Sequence, residues 1–82
     1  MYIEITEDTG LVSESGPYRS YELLTSGSTP QELVENAFIV EVDENGVDQE
    51  CYGVEAYCDR VYKRCMLIIA KAWLDAEEKE AA

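Results

Sequence analysis

The sequence predicts an α+β fold, an antiparallel sheet of three to four strands packed on one long C-terminal helix, with one short helix beside it. Three observations predict it. Apolar residues recur at helical spacing from Val54 to about Lys79. Short segments earlier in the chain alternate apolar and polar residues between turn signals. Thr29, Pro30, Gln31 and Glu32 form a helix-start signature between two of those segments. At 82 residues the chain reads as a single domain, residues 1–82, with room for one core.

Met1 to Thr6 alternates, with Ile3 and Ile5 on one face and Tyr2, Glu4 and Thr6 on the other, the pattern of a half-buried strand. Glu7, Asp8, Thr9 and Gly10 read as a turn, and Leu11 to Pro17 as a loop. Tyr18 to Thr25 is a second strand, broken by Ser26, Gly27 and Ser28. Thr29 is placed to cap a helix, Pro30 suits its first position, and Glu32 can reach back to complete a capping box. This short helix runs to about Asn36 and buries Leu33, with Ala37 after it. Phe38 to Val42 is a strand with Phe38, Val40 and Val42 on one face and Ile39, Glu41 and Asp43 on the other. Asn45-Gly46 is the favoured pair for a type I′ hairpin turn, and Val47 to Tyr52 returns antiparallel until Gly53.

The long helix carries a seam of Val54, Cys58, Val61, Cys65, Ile68 and Ala72 at steps of four and three. A second row, Tyr62, Met66, Ile69 and Trp73, lies roughly 90° round the cylinder at about 100° per residue. The short helix and the Leu11–Pro17 loop are expected to cover it; left partly exposed, it would form a homodimer or partner contact. Arg60, Arg64 and Lys71 make a basic row beyond the seam, expected to neutralise neighbouring carboxylates or to stand in water. One sheet face is then covered and the other open to water.

The N-terminus has no basic segment followed by an apolar one, so no secretory signal is expected. The longest apolar run, Cys65 to Ala70, falls far short of the ~20 residues that span a bilayer. A cytoplasmic protein with reduced Cys51, Cys58 and Cys65 is expected, Cys58 and Cys65 acting as small buried hydrophobes on the seam. The chain has no histidine, so Ser-His and Cys-His nucleophile activation are both excluded, and a sheet with one helix offers little cleft for paired carboxylates. No enzyme activity and no cofactor are expected. Three cysteines spaced by sevens do not match a zinc site. With Gly46 at the sixth position of a calcium loop, Glu41 and Tyr52 would fall where Asp and a bidentate Glu are required, so the hairpin reading stands.

Charge is the outlier. Residues 1–50 hold twelve acids against Arg19 alone, a net of −11, whereas residues 51–82 hold six acids and five bases. The acids lie on strands, turns and the short helix, so folding fixes them in space. Glu41 and Asp43, two apart on one strand face, begin a ladder with spacing of ~6.6 to 6.8 Å. Glu44, Asp48 and Glu50 continue it around the hairpin, and Glu4, Glu32 and Glu35 complete the candidate partner-binding set. A rigid array of negative charges resembles the phosphates of a duplex, about one per ~3.4 Å along each strand. A basic protein groove built for DNA would accept such an array, and no direct binding to nucleic acid or membrane is expected.

With this size, this compact α+β order and the acids Glu4, Glu7, Asp8, Glu32, Glu35, Glu41, Asp43, Glu44, Asp48 and Glu50, the chain resembles the small acidic anti-CRISPR proteins of phages, several of which are DNA mimics. The resemblance implies a non-catalytic inhibitor that works in the host cytoplasm and occupies the DNA-binding groove of a CRISPR effector. Inhibitors of restriction enzymes or of uracil glycosylase share the same physical logic. The alternative is an interaction module that dimerises through Tyr62, Met66, Ile69 and Trp73.

Overall fold

The structure, a computed structural model, describes residues 1–13, 18–46 and 48–81. Strands β1 (Ile3–Val12), β2 (Arg19–Gly27), β3 (Phe38–Asp43) and β4 (Asp48–Gly53) form one antiparallel sheet in the order β1-β2-β3-β4. Helix α1 (Pro30–Glu35) joins β2 to β3, and a 3-10 turn (Val54–Ala56) leads from β4 into α2 (Asp59–Ala81). The α+β fold with a long C-terminal helix and a short second helix is therefore present.

Directly opposed residues of an antiparallel pair share a sheet face. The register Ile5↔Thr25, Glu7↔Leu23 and Leu23↔Ile39 puts Ile5, Leu23 and Ile39 on one side. There they meet Val61, Cys65, Ile68 and Ile69 of α2, together with Leu33, Ala37 and Val54, in one core. Helix α1 lies on this same side, packed on β2 and α2. Thr29 Oγ1 accepts from Glu32 N at 3.1 Å, while Glu32 Oε2 accepts from Ser28 N at 3.2 Å, one residue before the expected partner. Asn36 Nδ2 donates to Ser26 O at 2.9 Å, and Thr25 Oγ1 donates to Leu33 O at 2.5 Å, fastening the C-terminal half of α1 to β2.

Four local expectations are corrected. The turn expected at Glu7–Gly10 is a bulge inside β1, which continues through Leu11 to Val12. Asp8 Oδ1 accepts from Gly10 N at 2.7 Å, and Gly10 sits at φ +77°. Buried Thr9 donates to Tyr21 O at 3.1 Å and accepts from Leu11 N at 3.3 Å, so side chains replace the missing ladder bonds. Residues 14–17 of the expected loop lie outside the described residues.

Strand β2 spans Arg19–Gly27 instead of stopping at Thr25. Gly27 is needed there because a Cβ would lie 2.7 Å from Glu32 Cβ.

The hairpin is not type I′. No residue other than glycine has positive φ among those described, so Asn45 does not; Gly46 alone, at +78°, takes that conformation. Asp43 accepts from Asn45 N through Oδ1 and from Gly46 N through its carbonyl, both at 2.9 Å, which is a type I turn followed by a left-handed glycine. Val47 lies outside the described residues, and β4 begins at Asp48.

Helix α2 begins at Asp59, not Val54. Tyr57 is extended (φ −100°, ψ 167°), and its ring packs edge-on against Tyr21 and Tyr52 at 5.6 and 6.0 Å between centroids. The extended Tyr57 interrupts the helical path. Val54 is buried in the 3-10 turn, but Cys58 is exposed, so of the two seam cysteines Cys65 alone is in the core. No helix among the described residues is long and apolar enough to cross a membrane.

Candidate functional site

The helix-free face of the sheet is built by the alternate residues of each strand. Register places Glu4, Thr6 and Asp8 of β1, Ser20, Glu22, Leu24 and Ser26 of β2, and Phe38, Val40 and Val42 of β3 on it. Val40 is 5% exposed yet stands outside the core cluster, as expected of a residue on the opposite side of the sheet. Asp8 and Glu22 are directly opposed across β1 and β2. Like charges in that position repel at Cβ separations of about 4.5–5.5 Å. The one base of residues 1–50, Arg19, is paired in register with Asp43 and so lies on the helix side, where its Nη1 is 3.3 Å from Glu41 Oε2. Among the described residues this face therefore carries acids and apolar groups without a Lys or Arg.

The eight candidate partner-binding acids fall into two groups at opposite ends of the sheet. Glu4 is opposite Ser26, and Glu32 and Glu35 are exposed on α1 at that end. Glu32 is engaged with Ser28 N, and Glu35 Oε1 accepts from Gln31 Nε2 at 3.0 Å. Glu41, Asp43 and Glu44 lie at the hairpin end, with the backbone of Asp48 and Glu50 beside them. The side chains of Asp48 and Glu50 lie outside the described residues. Asp43 is opposite Arg19, so the two groups are about seven residues apart along β2, or ~23 Å. Glu41 and Asp43 share the helix-side face, and Glu41, only 14% exposed at its side chain, is taken up by Arg19. The acids on the free face at mid-strand, Asp8 and Glu22, were outside the candidate set; their signal was the pairing of two strands, which a single strand's pattern does not contain.

Helix α2 spends most of the aromatic row on the fold. Ile69 is buried, Met66 and Trp73 are half-buried against the core, and Trp73 Nε1 donates to Glu77 Oε1 at 2.8 Å. Tyr62 is the exposed member. The most exposed large apolar residues on the helix are Leu67 and Leu74, 63% and 59% accessible, whose seven-residue spacing puts them on one face. In the basic row, Arg64 Nε donates to Thr9 O at 2.9 Å, bonding backbone instead of a carboxylate.

The one described thiol in the core, Cys65, has its pKa pushed from 9.0 up to about 11 by burial, which the charge of Arg64 only partly offsets. A thiol so placed is a packing group, not a nucleophile. Among the described residues no group of three or more Cys, Asp or Glu side chains is arranged to hold a metal ion. Depressions are present among the described residues. One of about 340 Å³ lies by Glu4, Leu24 and Phe38, and one of about 550 Å³ lies between Glu7 of β1 and the Arg64–Asp75 stretch of α2. Comparison with known proteins finds no matching family model, curated sequence or solved structure.

Proposed function

We propose that the protein is a non-catalytic inhibitor whose acidic sheet surface takes the place of DNA in a basic protein groove. A CRISPR effector is the target class that the resemblance implies. The observation that carries this reading is the helix-free face, where Glu4, Asp8 and Glu22 stand on a rigid sheet with no described base among them. Opposing Asp8 to Glu22 costs stability, and solubility alone does not require like charges to be held at adjacent ladder positions. Leu24, Phe38 and Val42 beside them supply apolar contact area, Phe38 being 49% exposed. Charge would steer the encounter, and apolar burial would slow dissociation.

The test is competition. Purified effector complexes are incubated with labelled target duplex and increasing amounts of the protein, at low and at high salt. Duplex is expected to be displaced at low salt, less so at high salt, with no binding of the protein to duplex alone. Undiminished duplex occupancy across CRISPR effectors, restriction enzymes and uracil glycosylase would overturn the proposal.

A further inference from the structure

Strand β1 is an edge strand. It pairs with β2 on one side, and no described residue pairs with its outer side. Alternate residues of such a strand turn their N–H and C=O groups outward, ready to template another strand. The usable length is bounded, because beyond Asp8 the bulge at Gly10 twists the edge and Arg64 occupies the Thr9 carbonyl. From Ile3 to Asp8 the strand keeps an uninterrupted register with β2.

The two sides of that edge differ. On the free face the strand presents Glu4 and Asp8, about 13 Å apart with Thr6 between them. On the helix side it borders the groove of about 550 Å³, whose apolar surface comes from Leu67, Ile68 and Ala72. In that groove Glu7 and Asp75 are matched by Arg64 and Lys71, so it demands no net sign of charge. Leu67, 63% accessible, shares with Tyr2 the highest accessibility of the large apolar residues described, and it lines this groove.

We infer that the outer edge of β1 receives an extended segment of a protein partner as an added strand, with basic side chains over the free face and apolar ones in the groove against α2. Backbone bonds to β1 supply affinity, and the alternation supplies selectivity. Lys or Arg at alternate positions meets Glu4 and Asp8, while the intervening side chains cover Leu67 and Ile68. The inference rests on the proposed function for the basic character of the partner and adds the backbone conformation that is recognised.

The test uses the full chain, 15N-labelled, titrated with the probe peptide Lys-Val-Lys-Val-Lys-Val-Lys. Lys-Lys-Val-Val-Val-Lys-Lys keeps the composition and removes the alternation, and Glu-Val-Glu-Val-Glu-Val-Glu reverses the charge. The alternating basic peptide is expected to shift and protect the amides of Ile3–Glu7 and to shift those of Leu67–Ala72. The rearranged peptide should bind about tenfold more weakly, a loss typical of one good anchor. Leu67→Glu, at an exposed position that keeps the fold, should weaken the alternating peptide by a similar factor. Equal binding of both basic peptides, shifts confined to α1 or the hairpin, or no binding at all would each overturn the inference. Those failures leave duplex competition untouched, whereas lost competition with peptide binding retained would overturn the proposed function instead.

Discussion

Arg64 Nε on α2 donates a 2.9 Å hydrogen bond to the carbonyl of Thr9 in β1, joining residues 55 apart in sequence. The bond falls where the bulge has taken Thr9 out of regular pairing, so the helix supplies what the sheet does not. Arg64→Ala is expected to cost about 1 kcal/mol in chemical denaturation. It should also raise amide exchange around Gly10 more than at the hairpin.

The two glycines of the β1–β2 pair have different reasons to be glycine. Gly10 has open space around it but a positive φ, so Gly10→Ala should cost about 1–2 kcal/mol and Gly10→Asn less. Gly27 has no such φ, but its missing Cβ leaves room for Glu32 and the Leu33 nitrogen. Gly27→Ala should displace α1, lowering stability and perturbing the Leu33 and Ala37 resonances, which Gly10→Ala should spare.

Thr25 Oγ1 and Leu33 O form a buried bond between β2 and α1. Thr25→Val keeps the shape and removes the donor, leaving a buried carbonyl unpaired, at a cost of about 1–3 kcal/mol. Urea denaturation should show a lower midpoint with an unchanged slope.

Alkaline pH should destabilise the protein through Cys65 and Tyr21. Burial raises the Cys65 thiol from 9.0 to about 11, and burial together with the charge of Glu41 raises Tyr21 above its ordinary 10.0. A raised folded pKa means that the unfolded state loses its proton first. The associated stability is full below pH 9 and is lost progressively as pH rises from 9 to about 11 for Cys65, and above 10 for Tyr21. Cys65→Ala lowers stability everywhere but should flatten the first part of that decline. In the native protein a thiol reagent at pH 8 should label exposed Cys58 quickly and Cys65 only on unfolding.

Charge reversal separates the free face from the hairpin end. Glu4→Lys and Glu22→Lys together should abolish duplex competition while the circular dichroism spectrum stays unchanged; Asp8 is left in place because its Oδ1 accepts from Gly10 N at the bulge. Glu44→Lys tests the hairpin end and leaves Asp43, which lies opposite Arg19 and accepts from Asn45 N, in place. Glu41 is left out because Glu41→Lys would face Arg19 with a second cation at close range and confuse stability with binding.

Much of the fold was legible in single residues. Thr29 and Pro30 start α1, and Leu33 and Ala37 are buried as their spacing requires. The α2 seam from Val61 through Ile68 faces the sheet, and Gly46 turns the hairpin. The candidate site was legible only as a charge imbalance, since the positions of Asp8 and Glu22 depend on the register between β1 and β2.

The sequence by itself determined the order and type of the elements and which residues share a face, because periodicity and capping are local properties of the backbone. Tertiary structure decided which face was covered. Phe38, Val40 and Val42 form the more apolar row of β3, yet α2 lies over Ile39, because β2 presents Leu23 on that side and α1 returns the chain there. It also decided that Asp8 and Gly10 make a bulge instead of a chain reversal, since the Tyr21 carbonyl accepts from the Thr9 hydroxyl and Arg64 donates to the Thr9 carbonyl. Both outcomes depend on partners 12 to 55 residues away, which no local pattern encodes.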